Sequence, residues 1–215
     1  IMYVGGISGV IGAFLYENSL ATPEDANAFM AISIPLLCSM LGSLIMGLIY
    51  CFLTVTLRAN QNVTGLALTI FGTGVAKFAG EYMRHIVGGF VTLSNPLKEA
   101  FSFVPFPQFM RNIPFVGPVL FSQPFFFYLA IILAVSMHLF LQKTKTGLYL
   151  RSVGESPVTA DAAGINMTMY RYVATIIGGG ISAVGGMVYV MTTGGCTWNE
   201  SSLGGIGWLA VALVI

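Results

Sequence analysis

Charged residues are scarce in this chain: Asp, Glu, Lys and Arg together make up 8% of its 215 residues. Soluble domains carry about 25%, and so few charges cannot cover the surface of a soluble globule. Hydrophobic residues make up 56% of the chain, a content that excludes intrinsic disorder. The net charge of +1 gives no electrostatic reason to expect nucleic acid as a partner. We therefore predict an integral membrane protein in contact with lipid.

Cysteine is also scarce, with three residues in the chain. Their number is odd and no two have a metal-ligand spacing, so neither a disulfide framework nor a metal site is predicted. The apolar runs contain no Asp or Glu and only one histidine, His138. An enzyme embedded in the membrane needs a paired base, nucleophile or metal cluster at that depth. We therefore predict no catalytic residue, no cofactor and no enzymatic activity.

Uncharged runs locate the membrane segments. A bilayer core needs about 20 apolar helical residues, and such a run becomes a helix because lipid cannot satisfy its backbone polar groups. The runs predict an all-α, polytopic transmembrane fold of about six segments: 1–16, 29–56, 59–76, 124–141, 172–193 and a last one that follows residue 205. Because both ends stand inside apolar runs, we expect residues 1–215 to be one partial transmembrane domain, truncated at both ends.

Small residues recur at a spacing of four within these segments. This spacing lets two helix backbones approach closely in lipid. The pairs are Gly5/Gly9, Ser8/Gly12, Ser43/Gly47, Gly178/Ser182 and Ser182/Gly186. We interpret them as helix-packing positions.

The distribution of Lys and Arg predicts the orientation. Loops rich in these residues stay in the cytoplasm, and the polar loop 142–171 holds four of them. Alternation of the segments then makes the proline-rich connection 81–123 extracytoplasmic, together with the loop 194–205. The outward side carries an excess of acidic residues, in agreement with this alternation.

The third segment is studded with uncharged polar side chains. A polar solute that crosses the bilayer needs such groups around a central path. The candidates are Asn60, Gln61, Thr64, Thr69 and Thr73. Thr69 and Thr73 are four residues apart and share a helix face. An alternative is that these side chains bond to neighbouring helices or cap the segment.

The loop 142–171 contains the signals of a short helix. Ser156 suits the N-cap, Pro157 the first helical position, and Gly164 the position just past the end. Asn166 can then cap the helix that follows. A helix of about two turns is marginal by itself and would gain stability by docking in a groove of a partner.

The same stretch resembles the coupling loop of bacterial ABC-importer permeases of the branched-chain amino acid, ribose and nucleoside superfamily. The pattern G-L-x-L-R-x-V-G-E-x-P-x-x-A-D-x-A-G-I-N is matched from Gly147 to Asn166. A second stretch, LRANQNVTGLALTIFGTG at 57–74, is similar to the nucleoside and simple-sugar branch. Ile1-Met2 and the closing GGIGWLAVALVI also resemble family motifs.

The resemblance implies a permease subunit of an ATP-driven importer for nucleosides or related simple sugars, in the bacterial inner membrane. Its expected partners are a cytoplasmic ATP-binding subunit, a second permease subunit, identical or different, and an extracytoplasmic substrate-binding lipoprotein. ATP would be hydrolysed by the separate subunit, since the chain has no G-x-x-x-x-G-K-[ST] loop. The expected coupling residues are Arg151, Glu155, Ser156, Pro157, Thr159, Ala160, Asp161 and Gly164.

Two alternatives stay open. Within the superfamily the solute is instead a branched-chain amino acid or another sugar. A zwitterion favours charged or helix-terminus contacts, which the segment 60–73 lacks. In a different class, an ion-coupled secondary transporter would usually bury a carboxylate for its coupling ion, and the uncharged runs contain none.

Overall fold

The computed structural model describes residues 1–20, 27–107, 121–199 and 203–214. Within these ranges the chain is helical, apart from connecting loops and one isolated β-bridge. The helices are α1 Met2–Ser19, α2 Ala28–Cys51, α3 Gln61–Val87, α4 Asn95–Ser102, α5 Phe125–Lys143, α6 Lys145–Glu155, α7 Pro157–Ala162, α8 Met167–Thr192 and α9 Ile206–Val214. The predicted all-α fold is confirmed.

Of the helices in these described ranges, four are long and apolar enough to cross a membrane: α3, α5, α8, and α2 with the π-helical turn Phe52–Thr56 that continues it. Each overlaps one of the predicted segments 29–56, 59–76, 124–141 and 172–193. The shorter helices α1 and α9 fall on the predicted first and last segments. The described chain therefore has the polytopic architecture that the uncharged runs predict.

The chain divides into two compact units. The first consists of residues 1–100 and 175–215, and the second of residues 101–174. The first unit contains α1, α2, α3, α9 and the larger part of α8, and the second contains α5, α6 and α7.

Helix α1 is held against α2 and α8 by glycines that admit a close approach. A Cβ atom on Gly5 would collide with the side chain and backbone of Ala183, and one on Gly9 would lie 2.5 Å from Met187 Cγ. On the face toward α2, a Cβ on Gly12 would lie 2.7 Å from Cys38 Sγ. The predicted packing role of these three glycines is confirmed.

The small residues of α8 behave in two ways. A Cβ on Gly186 would collide with the backbone of Met2, so this glycine also serves close packing with α1. Around Gly178 no other described residue comes within 4 Å of a Cβ position, and Ser182 is exposed in the described structure. The packing prediction for the pair Gly178/Ser182 is therefore wrong in the structure described.

Helix α3 extends beyond its predicted end at residue 76, as far as Val87. Residues 81–87 of the predicted connection 81–123 thus belong to a helix. The charges that marked the end of the membrane run are accommodated on the helix surface, where Arg84 and Glu81 form an ion pair at 2.9 Å. Gly88 ends the helix in the left-handed region at φ 72°, which glycine adopts without steric cost.

The loops that follow α3 and α8 meet at a β-bridge between Thr92 and Thr197. The Trp198 amide donates to the Val91 carbonyl at 3.1 Å, and the Trp198 ring covers Gly80 of α3. Val91 and Trp198 are both buried. The loop 88–94 and the loop segment 193–199 are thus joined in one layer, called the capping layer below.

The replacement Gly5→Val tests the close approach of α1 and α8. Valine there overpacks the contact with Ala183, at a cost of about 1–3 kcal/mol. One kcal/mol corresponds to about 2–4 °C in a chain of this size, so we expect a fall of several degrees in the melting temperature of the detergent-solubilised protein. Gly74→Val is the control, because no described atom lies within 4 Å of a Cβ on Gly74. An equal fall in both variants would contradict the packing role.

The thiol of Cys196 offers a test of the capping layer. Burial raises the pKa of Cys196 to about 11, although the positive charge of Lys98 acts in the opposite direction. In a variant with Cys38 and Cys51 replaced by alanine, we expect iodoacetamide at pH 8 to label Cys196 only after unfolding in detergent.

The raised pKa of Cys196 also predicts how the free energy of unfolding depends on pH. An unfolded thiol loses its proton near its ordinary value of 9.0, and the folded one near 11. The contribution to stability is therefore present below pH 9 and is lost as the pH rises from 9 to 11. Labelling of the native protein as fast as of free cysteine would contradict the burial of this thiol.

Candidate functional site

A cavity of about 500 Å³ lies in the first unit, between α1, α2, α3, α8 and α9. Small-molecule sites usually have volumes of about 300–1,000 Å³. Aromatic rings, hydroxyl groups, aliphatic side chains and glycines line the cavity, and no Asp, Glu, Lys or Arg is among the described residues of its wall. Its chemistry therefore suits an uncharged polar solute better than an ion.

Two of the five predicted path residues, Thr69 and Thr73, line this cavity. Each hydroxyl donates to a carbonyl of its own helix: Thr69 to Gly65 and Thr73 to Ile70, both at 2.8 Å. Since the donor is occupied, these hydroxyls offer lone pairs to a solute. They act as acceptors in the cavity wall.

The other three predicted residues lie in the first turn of α3 and are not part of the lining. Asn60 is the N-cap, and its Oδ1 atom accepts from the amides of Asn62 and Val63 at 3.0 and 3.4 Å. Gln61 is exposed, and the buried Thr64 hydroxyl donates to the Asn60 carbonyl. Asn60 thus caps the segment, as the alternative interpretation allowed, and Thr64 bonds to the backbone at the start of the same helix.

The cavity also contains polar groups that the sequence did not single out. They are Tyr3, Tyr50, Thr175, Ser182 and Trp208. The hydroxyls of Tyr3, Tyr50 and Ser182 make no hydrogen bond to another described residue, so their donors are free for a solute. These residues come from four helices, and only their shared cavity relates them.

Among the described residues, no three His, Cys, Asp or Glu side chains are grouped so that they could hold a metal ion.

The second unit contains the predicted coupling loop. Its short helix, α7, runs from Pro157 to Ala162, with Ser156 at the N-cap position. Gly164 follows in the left-handed region at φ 77°. The Ser156 side chain makes no capping hydrogen bond, so the predicted cap position is right but its side-chain contact is absent.

Helix α6 precedes α7 and was missed in the sequence. The Thr144 hydroxyl caps it by accepting from the Gly147 amide at 3.0 Å. A Cβ on Gly147 would collide with the Phe140 carbonyl, so glycine is needed at this corner. A threonine three residues before a glycine is a weak cap signal. The charged residues of this stretch had marked it as part of a polar loop, so the helix was not predicted.

Arg151 and Glu155 approach each other on α6, at 3.9 Å, and both are largely exposed. On α7, Thr159 and Asp161 are exposed, whereas Ala160 is buried. Val158 is 80% exposed. The described part of this loop therefore presents an apolar side chain beside polar ones, as a docking helix requires.

Residues 2–215 match the model of a family described as branched-chain amino acid transport system / permease component. The chain belongs to this permease family. Its family and its four apolar helices identify it as a multi-pass protein of the plasma membrane.

Individual relatives within the permease family have different named solutes. The chain is 30% identical over 216 residues to the guanosine ABC transporter permease NupQ of Bacillus subtilis, covering 100% of this chain and 63% of the relative. It is 29% identical to the nucleoside ABC transporter permease NupC of Lactococcus lactis, covering 98% and 65%. A Haloferax volcanii protein, TsgC13, named as a glucose ABC transporter permease, is 28% identical, covering 98% and 60%.

The chain thus spans a little under two thirds of the length of these relatives. No solved structure matches it.

The side chain of Asn166 caps the first turn of α8 in this permease, and its contribution to stability can be compared with that of an exposed charge. The Met169 amide donates to Asn166 Oδ1 at 3.1 Å, and loss of such a cap costs about 0.5–2 kcal/mol. We expect Asn166→Ala to lower the melting temperature of the purified protein. Glu155→Gln is the control, since an exposed ion pair contributes about 0–1 kcal/mol. A larger fall in the control than in Asn166→Ala would contradict this assignment.

Proposed function

We propose that this chain forms part of the translocation path of an ATP-driven importer for nucleosides or related simple sugars. The observation that carries the proposal is the uncharged cavity of about 500 Å³, lined by hydroxyl and aromatic groups. Relatives named for guanosine, nucleosides and glucose support the same class of solute.

The cavity offers both kinds of hydrogen-bonding group without charge. Thr69 and Thr73 present acceptors, and Tyr50 and Ser182 add hydroxyl donors that bond to no other residue in the described part of the chain. A ribose or a base edge carries neutral donors and acceptors that match such groups. Aromatic faces such as those of Tyr50 and Trp208 provide apolar surface against which a planar or ring-shaped solute packs.

A branched-chain amino acid is the alternative, favoured by the description of the family. It carries both a carboxylate and an ammonium group, whose transfer from water without partners is costly. No Asp, Glu, Lys or Arg is found among the described lining residues. We therefore place nucleosides and sugars first.

The energy for transport enters, in this proposal, through α7. The coupling residues are Arg151, Glu155, Ser156, Pro157, Thr159, Ala160, Asp161 and Gly164. A cytoplasmic ATP-binding subunit would receive the exposed side chains of α7 in a surface cleft and move them when it closes on ATP. Pro157 at the start of the helix and Gly164 shortly after its end bound a compact unit that can transmit such a displacement. A second permease subunit and an extracytoplasmic binding lipoprotein complete the proposed importer.

The transport proposal is tested with the intact complex, purified from native membranes through a tag on this chain and placed in liposomes. We expect ATP, supplied on the side of the liposome membrane that carries the ATP-binding subunits, to drive uptake of labelled inosine or ribose. Uptake of leucine alone would favour the amino-acid alternative. Uptake that needs an ion gradient and persists without ATP would identify a secondary transporter and overturn the proposal.

Coupling is tested by Val158→Asp. A charge at this exposed apolar position would disfavour an apolar contact with the ATP-binding subunit, and we expect about tenfold slower ATP-dependent uptake, corresponding to about 1.4 kcal/mol, with normal insertion. Gly89→Asp is the matched control, because Gly89 is exposed in a loop that follows α3 and none of the described residues comes within 4 Å of its Cβ position.

Cross-linking tests directly whether the ATP-binding subunit lies against α7. In a variant without native cysteines, Thr159→Cys should cross-link to the ATP-binding subunit in the intact complex. Unchanged uptake by Val158→Asp, together with no cross-link from position 159, would exclude the coupling role of α7.

A further inference from the structure

The glycines of α3 and α8 have two different surroundings. Gly80 and Gly186 are pressed against neighbouring atoms, so that a Cβ there would collide with Trp198 or with Met2. At Gly65 and Gly178 no other described residue has an atom within 4 Å of a Cβ position. Helix packing therefore explains the first pair and leaves the second pair unexplained.

Glycine is not neutral at such open positions. Within a helix it costs about 1 kcal/mol relative to alanine, because it loses more backbone freedom on folding. Both Gly65 and Gly178 lie inside long helices and have no positive φ angle. Neither close packing nor backbone conformation accounts for glycine at these two positions.

Both residues line the uncharged cavity, one from α3 and one from α8. A Cβ atom at either position would meet no other described atom within 4 Å, so a side chain added there has open space at the wall of the cavity. We propose that Gly65 and Gly178 determine the size of solute that the cavity admits, by leaving its wall without side chains at two points. This inference rests on the proposed function and adds the residues that set its size limit.

The chain offers a matched control on each helix. Gly74 lies on α3 and Gly185 on α8, and in the described part of the chain neither has a neighbour within 4 Å of its Cβ position. Neither belongs to the cavity lining. A substitution at these positions makes the same chemical change in the same helix but leaves the cavity unchanged.

The experiment compares alanine and valine at all four positions in the intact complex. Melting temperatures should be similar for Gly65→Val and Gly74→Val, and likewise for Gly178→Val and Gly185→Val, because all four sites are open. With the cavity variants, we expect inosine uptake to fall as the added side chain becomes larger. For valine we expect a fall of about tenfold or more, because its side chain would overpack a cavity that the solute already fills. Ribose, which is smaller, should lose less, and the controls should retain uptake of both solutes.

The outcomes separate this inference from the proposed function. If the unmodified complex takes up neither inosine nor ribose, the proposed function fails. If it transports inosine but all four valine variants do so equally well, the function stands and the size role of Gly65 and Gly178 is wrong.

A further readout does not depend on transport. In a variant without native cysteines, Gly65→Cys and Gly178→Cys should react with a small methanethiosulfonate reagent, and inosine should slow the reaction. Reaction that inosine leaves unchanged, at both positions, would contradict their location beside the bound solute.

Discussion

The close approach of α1 to α2 and α8 is the constraint on which the first unit depends. Helices in lipid gain little from the hydrophobic effect when they associate, because lipid is as apolar as their side chains. Their contact must come from van der Waals packing, which requires backbones that come close. Gly5 and Gly9 provide this toward α8, and Gly12 provides it toward α2. A side chain at these positions would separate the helices and weaken the contacts that hold the unit together.

The cavity depends on the same arrangement. Because α1 contacts both α2 and α8, the groups of these helices come together with those of α3 and α9 around one space. The wall alternates between hydroxyl-bearing positions, such as Thr69 and Ser182, and positions with no side chain, such as Gly65 and Gly178. Glycine thus has two opposite uses in this chain. It brings helices together where packing is tight, and it leaves room where the structure is open.

Much of the fold followed from the charge pattern. Uncharged runs predicted the membrane helices, because a bilayer admits few other backbone structures. The predicted end of α3 at residue 76 was wrong for a related reason. Charged residues can continue a helix when its end leaves the apolar region, and the ion pair of Arg84 with Glu81 and the Gly88 terminus show how this helix does so. Absence of charge predicts a membrane helix, but presence of charge does not end one.

The candidate site was less accessible from sequence. Thr69 and Thr73 could be placed on one helix face from their spacing, and both line the cavity. Asn60 and Thr64 instead bond to backbone groups of their own helix start, a competition that polar residues near a helix terminus commonly enter. Ser182 had been assigned to helix packing and Tyr50 to no role, since nothing in their own segments relates them to α3.

The amino-acid sequence by itself determined which segments are helical and apolar, where the short helix of the loop 142–171 begins, and the family to which the chain belongs. These properties depend on local composition and on short motifs such as Ser156-Pro157. Only the tertiary structure decided which glycines serve packing and which border open space. That distinction is physical: a glycine has no side chain to reveal its surroundings, and its role depends on which distant backbone faces it.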